Sequence, residues 1–526
     1  MHFDVLLRGG KIIDGKGNPW FKGDIGIRNG RIESIAPVIE GHASETLDVS
    51  RYFVCPGFID THTHSDYVFF VDPTAQSKAR QGVTTEVVGN CGISAAPYMG
   101  GAKERFLPAP AGFVPPWESI QEYLDAFHRQ PKTVNIAPLV GHGTLRSAVV
   151  GPENREATPA ELARMKEYLS GGLAAGAFGM SLGLYFAPGA FATPGELIEL
   201  ARLAGRHGTV VAAHIRDEGS RSVGFISAVK EIIRLGAEAE VPVHISHIKS
   251  FGPDTWHTSG QVLDVIDAAR AGGIDVTCDQ YPYDTTGGAL AADTLPYAFQ
   301  SGKAPEQVSE ELKSPSTRAT IKAEVTSNIT KRGGPNALTI STYPFNPSLE
   351  GRTLQELCNE QKKDPADVVM EMLGDSYEAL WNCRSLNQED VDAFMRYPAT
   401  MIGSDGSSLS TEGPLSGGNP HPREFGAFPR VLCEYVRRRG VLRLEDAVRK
   451  MTSLPAQRFS VSDRGTMDEG KWADIVLFDL DAVRDATFDR PKQYPSGIPF
   501  VMVNGAWVIR NGEFTGNLPG RLAQRK

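Results

Sequence analysis

FVCPGFIDTHTH, residues 53–64, is the stretch on which the fold turns. Phe53, Val54, Cys55, Phe58 and Ile59 make an apolar run around Pro56-Gly57, and the run empties into two histidines. A short apolar run bounded by turn residues reads as a buried strand. Residues two apart on a strand point to the same side, so His62 and His64 can reach one metal ion together.

Downstream, short apolar runs alternate with helical patterns. That rhythm predicts a parallel sheet with helices outside it. Eight runs recur, at 57–61, 84–89, 134–140, 177–181, 209–213, 241–246, 274–278 and 400–403. Two of the helices between them carry start signals. Thr158-Pro159 with Glu161, and Thr193-Pro194 with Glu196, each offer an N-cap, a proline at the first helical position and a capping-box acid. Eight strands with outer helices predict an α/β fold of the (β/α)8 TIM-barrel type. The gap before the eighth run is too long for one helix, so about 289–345 is expected to be an insertion near the barrel mouth.

The two ends of the chain differ from this middle. DIGIRNGRIESI (24–35) and VMVNGAWVIRNGE (501–513) alternate apolar and polar residues around Asn-Gly pairs, a hairpin signal. ADIVLFDL (473–480) is a further strand. The expectation is one small β-sandwich domain built from both ends, 1–55 and 454–526, around a barrel spanning 56–453.

Composition narrows the function classes. The 526 residues are 41% apolar and 22% charged, an ordinary globular balance, and the formal net charge is −9. That charge argues against nonspecific nucleic-acid binding. Six cysteines in so long a chain are no disulfide framework. Asp4, Arg8, Lys11, Asp14 and Lys16 leave no apolar signal-peptide core near the start. The uncharged stretch 170–195 is interrupted by Gly171, Gly172, Gly176, Gly179, Gly183 and Pro188, too broken for a membrane span. A soluble, cytoplasmic protein is expected.

In such barrels the chemistry sits where the strands end. The run ends offer His62, His64, Cys91, His142, Ser181, His214, His247, Asp279 and Asp405. The chain has 12 histidines, so five of them at predicted strand ends is a clustering that chance placement would not give. Zinc accepts imidazole, thiolate and carboxylate together, which suits Cys91 at the end of VTTEVVGN. Taken singly, His214 and His247 fit a ligand or a core histidine equally; with His62 and His64 they complete a cluster. His244 faces the other side of its strand. Asp405, in MIGSDG, can bind a metal or take a proton from water. Cys55, Cys278, Cys358, Cys383 and Cys433 read as packing residues.

These residues in this order resemble the amidohydrolase superfamily, and more narrowly the D-aminoacylase (N-acyl-D-amino-acid deacylase) family. The matching text is FIDTHTHSD, QGVTTEVVGNCGIS, APLVGHGTLR, HIRDE, ISHIKS, DQYPY, IGSDG, HPREFGAFPRVL and AVRKMTSLPAQRF. The resemblance implies a zinc hydrolase that cuts the amide of an N-acyl-D-amino acid with metal-activated water. Cys91, His214 and His247 would hold a tight zinc. His62, His64 and Asp405, with Cys91 bridging, would form a second, weaker site. Asp405 would be the general base and then the acid that protonates the leaving amine. Lys249, Tyr283 and Arg423 would bind the carboxylate of a small-molecule substrate. Two departures bear on side-chain preference: DTTGGALAADTLP follows YPY, and a long loop separates Asp405 from Arg423. The competing readings are a cyclic-amide or D-dipeptide hydrolase of the same superfamily and a non-enzymatic barrel. The first wants a carboxylated lysine at a strand end; the second would have lost at least one of the six candidate ligands.

Overall fold

The computed structural model describes residues 2–105 and 112–525. Both ends of the chain enter one nine-stranded sheet. His2–Ile12 pairs antiparallel with Phe21–Arg28 and parallel with His42–Asp48 and Phe53–Pro56. Phe53–Pro56 pairs antiparallel with Ile475–Phe478, which carries the C-terminal hairpin of Phe500–Val503 and Ala506–Arg510. Val5, Leu7, Ile25, Ile27, Ile475, Leu477 and Met502 form the apolar core of this unit.

Both Asn-Gly pairs turn as their composition predicts. Asn29 and Gly30 have φ of 51° and 73°, and Asn504 and Gly505 have 48° and 83°, the left-handed pairs of a tight hairpin. The two turns also lie against each other. A Cβ on Gly505 would stand 2.2 Å from the Gly30 Cα, so glycine is required by space as well as by φ.

The middle of the chain is mixed α/β. Phe58–Asp60, Val83–Val88 and Asn135–Pro138 form a three-stranded parallel sheet. Val140–Gly141, Gly179–Gly183, Val210–His214, Val243–Ile245, Val276–Gln280 and Thr400–Ile402 form a six-stranded one, again parallel throughout. The eight apolar runs of the sequence each overlap a strand of these two sheets; the run 134–140 is broken at Leu139. The segment 135–141 runs through both sheets, pairing first with Val83–Val88 and then with Gly179–Gly183; at the other side Asp405 N donates to the His62 carbonyl at 2.8 Å beside a parallel bridge between Thr63 and Gly406.

The outer helices start as expected, with one instructive difference. Thr158 caps Pro159–Ala174 and forms a full capping box with Glu161. Thr193 caps Pro194–Arg206 by accepting from Glu196 N, but the Glu196 carboxylate does not return to the cap. It turns inward, accepts from His142 Nε2 at 2.8 Å and pairs with Arg146. A buried cation outbids an exposed backbone N–H for that carboxylate, because a hydrogen bond to a charged group is stronger.

The excursion before the last strand is longer than the expected 289–345. Thr286–Ala289 pairs with Leu380–Cys383, which pairs with Leu338–Thr342, so the inserted unit closes only near residue 383. The helix Pro365–Asp375 packs on Pro305–Leu312 and Pro315–Lys331 within the same unit. Its capped, apolar pattern cannot be told from a barrel helix by periodicity. The C-terminal segment also does more than extend the sheet. Phe459, Val461 and Ala523 pack against Ile59, Val87, Ala137 and Ala212. No helix among the described residues is long and apolar enough to cross a membrane.

Candidate metal and active site

Three residues at strand ends have backbone conformations that non-glycine residues rarely adopt. Cys91, His247 and Asp405 have φ of 54°, 35° and 54°. Each such residue costs of order 1–3 kcal/mol and persists only where its surroundings hold it. Here they do. Gly92 N donates to Ser181 Oγ at 3.0 Å, and that hydroxyl donates on to the Gly89 carbonyl, fixing the turn around Cys91. His247 N donates to Asp279 Oδ1 at 2.6 Å, and Asp405 N is held by the His62 carbonyl. Ser181 and Asp279 therefore support the cluster from behind.

Close backbone approach also aims Cys91. A Cβ on Gly183 would lie 1.9 Å from the Cys91 carbonyl oxygen. Gly183→Ala is expected to push the Cys91 turn outward and cost about 1–3 kcal/mol, as overpacking does. Unfolding midpoint and zinc stoichiometry, measured together, test this; unchanged values for both would detach Gly183 from the site.

The structure brings the six expected ligands together. Cys91 Sγ lies 3.2 Å from His62 Nε2, 3.3 Å from His247 Nε2 and 3.5 Å from His214 Nδ1. Asp405 Oδ1 lies 3.2 Å from His64 Nε2 and 3.6 Å from His62 Nε2. Ligand atoms of His62, Cys91, His247 and Asp405 all fall within 4.8 Å of one another, and so do those of His214, Glu218 and His247. Zinc bonds of about 2.0–2.3 Å in a tetrahedron put neighbouring donors roughly 3.5 Å apart, so this spacing fits zinc. The set also fits by type: one thiol, several imidazoles and a carboxylate. His62 is fully buried, and the side chain of His64 is 26% exposed, so the cluster opens at His64.

The charges agree with a cation site. Burial alone would push the Cys91 thiol up, but the neighbouring His62, His247 and His214 hold it well below the ordinary thiol value. Burial pushes the thiols of Cys278, Cys383 and Cys433 up to about 12, consistent with packing roles. Burial would also raise the Asp405 carboxyl; the Arg423 guanidinium, with His247 and His64, holds it well below the usual carboxylate range. Burial works against the His64 imidazolium, yet its hydrogen bond to Asp405 and the nearby Cys91 raise its pKa to about 9.

Not every strand-end residue joins. His142 pairs with Glu196, away from the thiol. Asp279 is buried behind His62, with Oδ2 accepting from His244 Nε2 at 2.7 Å and from Thr61 Oγ1 at 3.1 Å. His244 thus faces away from Cys91, as its spacing predicts.

Among the expected carboxylate-binding residues, Arg423 lies at the cluster. Its Nη1 donates to Asp405 Oδ2 at 2.9 Å and its Nη2 to the Gly287 carbonyl at 3.2 Å. Lys249 is close but engaged, with Nζ 2.5 Å from Glu218 Oε1 and 2.9 Å from the His247 carbonyl. Tyr283 does not reach the cluster. Its ring packs edge-on to His421 at 4.9 Å and under Arg430 at 4.7 Å. Tyr281 lies closer to these groups: the Arg423 guanidinium lies 5.3 Å from its ring centre and Lys249 Nζ lies 5.6 Å away. The strand ends at Gln280 and Pro282 follows, so the two tyrosines of DQYPY diverge. Glu218 was not singled out from the sequence; its position four residues after His214 in HIRDE was the available signal.

A pair of parallel sheets whose strand ends gather imidazoles, a thiol and a carboxylate defines a metal-dependent hydrolase of the amidohydrolase type, and the comparisons agree. The chain belongs to the amidohydrolase family, whose pattern matches residues 45–313 and 384–509, and within it to the D-aminoacylase branch. It is 38% identical to the D-aminoacylase of Alcaligenes xylosoxydans xylosoxydans over 99% of this chain and 98% of that one. A D-aminoacylase structure described for its binuclear metal centre superposes with a TM-score of 0.84 at 36% identity, covering 99% of this chain and 100% of the other. The N-acyl-D-glutamate deacylase of Bordetella bronchiseptica, solved with zinc and a phosphonate mimic of the tetrahedral intermediate, gives 0.83 at 33% identity over 100% of both chains.

Proposed function

We propose that this protein is a zinc-dependent hydrolase of N-acyl-D-amino acids, releasing a carboxylic acid and a free D-amino acid. The observation that carries the reading is the Cys91 thiol set within 3.5 Å of three imidazole nitrogens, next to an Asp405 carboxylate paired with Arg423. In this reading Cys91, His214 and His247 hold the tighter zinc. His62, His64 and Asp405 hold a weaker second ion, with Cys91 shared. A bound zinc supplies Lewis acidity toward an acyl carbonyl and lowers the pKa of water.

The chain's own groups supply the rest. Asp405 accepts the proton of the attacking water and returns it to the departing amine nitrogen. Arg423 offers a two-pronged grip for the substrate's α-carboxylate. The Tyr281 ring lies beside Arg423, its centre 5.3 Å from the guanidinium. The fold expected for this chemistry is one (β/α)8 barrel joined through the segment 135–141 and the Thr63–Gly406 contact, with the two chain ends forming a separate β domain. A cytoplasmic location is consistent with this reading.

Zinc content, together with rates on N-acetyl-D- and N-acetyl-L-amino acids, tests the proposal. Zinc binding with preference for the D series is the expected result; a metal-free protein inactive on both overturns it. Arg423→Lys keeps the charge but loses the fork, and truncating a buried charged hydrogen bond typically costs about 2–5 kcal/mol. The expected loss is in kcat/KM for a carboxylate-bearing substrate, with folding little changed. An unchanged kcat/KM would mean that the carboxylate is read elsewhere.

A further inference from the structure

Glu218 lies where one carboxylate can serve two metal ligands. The strand Val210–His214 ends on His214, and the chain then folds around Asp217. Asp217 accepts from the backbone N–H of Gly219 at 2.9 Å, Ser222 at 2.5 Å and Gly224 at 3.0 Å. This turn returns Glu218, 3% exposed, beneath the strand ends.

The two tight-site histidines face Cys91 through different ring nitrogens, His214 through Nδ1 and His247 through Nε2. Their remaining nitrogens both face Glu218. His247 Nδ1 lies 2.9 Å from Oε1, and His214 Nε2 lies 3.6 Å from Oε2. His214 Nε2 is buried and has no other partner. An imidazole that ligates through one nitrogen must carry its proton on the other, and an outer carboxylate that takes this proton fixes the ring's tautomer and orientation.

We infer that Glu218 is a shared positioning residue, holding His214 and His247 in opposite tautomers so that Nδ1 of one and Nε2 of the other point at the same ion. Lys249 then has a second duty. Its ammonium lies 2.5 Å from Glu218 Oε1 and 2.7 Å from His247 Nδ1. Once His247 Nδ1 carries a proton, that nitrogen no longer accepts from Lys249, and the ammonium keeps Glu218 and the His247 carbonyl as its partners. It pairs the charge of Glu218, which is buried with it.

The inference rests on the zinc reading above, and the test separates the two. In zinc-loaded wild-type protein with nitrogen-15-labelled histidine, His214 is expected to carry its proton on Nε2 and His247 on Nδ1. In Glu218→Gln an amide replaces the double acceptor, and its NH2 group meets a ring N–H. Loss of such an outer partner typically lowers metal affinity about 10–100-fold. Competition with a chelator should show that loss, while the metal-free forms of wild type and variant unfold at similar midpoints. Zinc affinity within threefold of wild type in a folded Glu218→Gln, or identical tautomers for His214 and His247 in the wild type, overturns the inference. Identical wild-type tautomers overturn it even if the variant does not fold. A wild-type protein that takes up no zinc overturns the metal reading itself and this inference with it.

Discussion

Cys91→Ala should leave a folded protein that has lost most of its bound zinc and, with it, its hydrolytic activity. The thiol is the hub of the cluster: three imidazole nitrogens lie within 3.5 Å of its sulfur. A thiolate contributes both charge and softness, which no histidine replaces. Removing it also takes away the negative charge that His62, His214 and His247 surround, so repulsion among the remaining groups weakens binding further. The fold should persist, because the apolar core around the parallel strands does not include the metal. Zinc analysis, circular dichroism and activity on one N-acyl-D-amino acid check the three parts. Stoichiometric zinc with near-normal activity in this variant would remove Cys91 from the site.

The cluster itself was legible from the sequence because its residues sit just past apolar runs: His62 and His64 follow Phe58–Asp60, His247 follows Val243–Ile245 and Asp405 follows Thr400–Ile402. His62 and His64 both reach Asp405 Oδ1 although the strand has ended before them, so the alternation rule is not what aligns them. The two Asn-Gly hairpins were legible because their φ demands select the residue pair. What surrounds the cluster was not legible. Glu218 leaves the strand and comes back only because Asp217 folds the loop around itself. Tyr281 and Tyr283 are two apart in DQYPY, but alternation stops at Gln280, where the strand ends. Glu196 has the spacing of a capping-box acid, yet the buried Arg146 and His142 draw it inward.

The buried charges behind the site are the clearest case. Lys78, on the short helix Ser77–Arg80, is fully buried with Nζ 3.2 Å from Asp60 Oδ2. Ser404 joins that pair to the site, its backbone N donating to Asp60 Oδ1 at 2.8 Å and its hydroxyl to the His62 carbonyl at 3.3 Å. Glu86 accepts from Ser65 and Ser408 at 2.5 Å each, and burial pushes its carboxyl up to about 7. These groups tie the ends of the first and last parallel strands together, one carrying His62 and His64 and the other Asp405. Each partner comes from a distant part of the chain. Periodicity sees apolar faces, and a charge buried by a long-range partner breaks the pattern without announcing the partner.

Asp405→Asn separates proton transfer from metal binding. Asp405 Oδ1 faces His64 and His62, while Oδ2 takes Arg423 Nη1 at 2.9 Å. An asparagine keeps an oxygen for one of these contacts, but its amide accepts no proton near neutral pH. General acid–base help is typically worth about 10²–10⁴-fold, and that is the expected fall in kcat. The zinc attributed to Cys91, His214 and His247 should remain bound. The pH profile carries the sign. Burial acts to raise the Asp405 carboxyl, but Arg423 foremost, then His247 and His64, hold it low, so the base stays ionised as pH falls below the ordinary aspartate value of about 3.9. Any acidic limb that reports Asp405 therefore lies at low pH in the wild type and is absent in Asp405→Asn. The same argument predicts that Arg423→Gln, which removes the cation, moves that limb to higher pH. A variant within tenfold of wild-type kcat, with its acidic limb intact, would assign the base to another group. Asp279, the other strand-end carboxylate, would be a poor substitute: it is fully buried, and its oxygens already accept from His244, Thr61 and the His247 backbone.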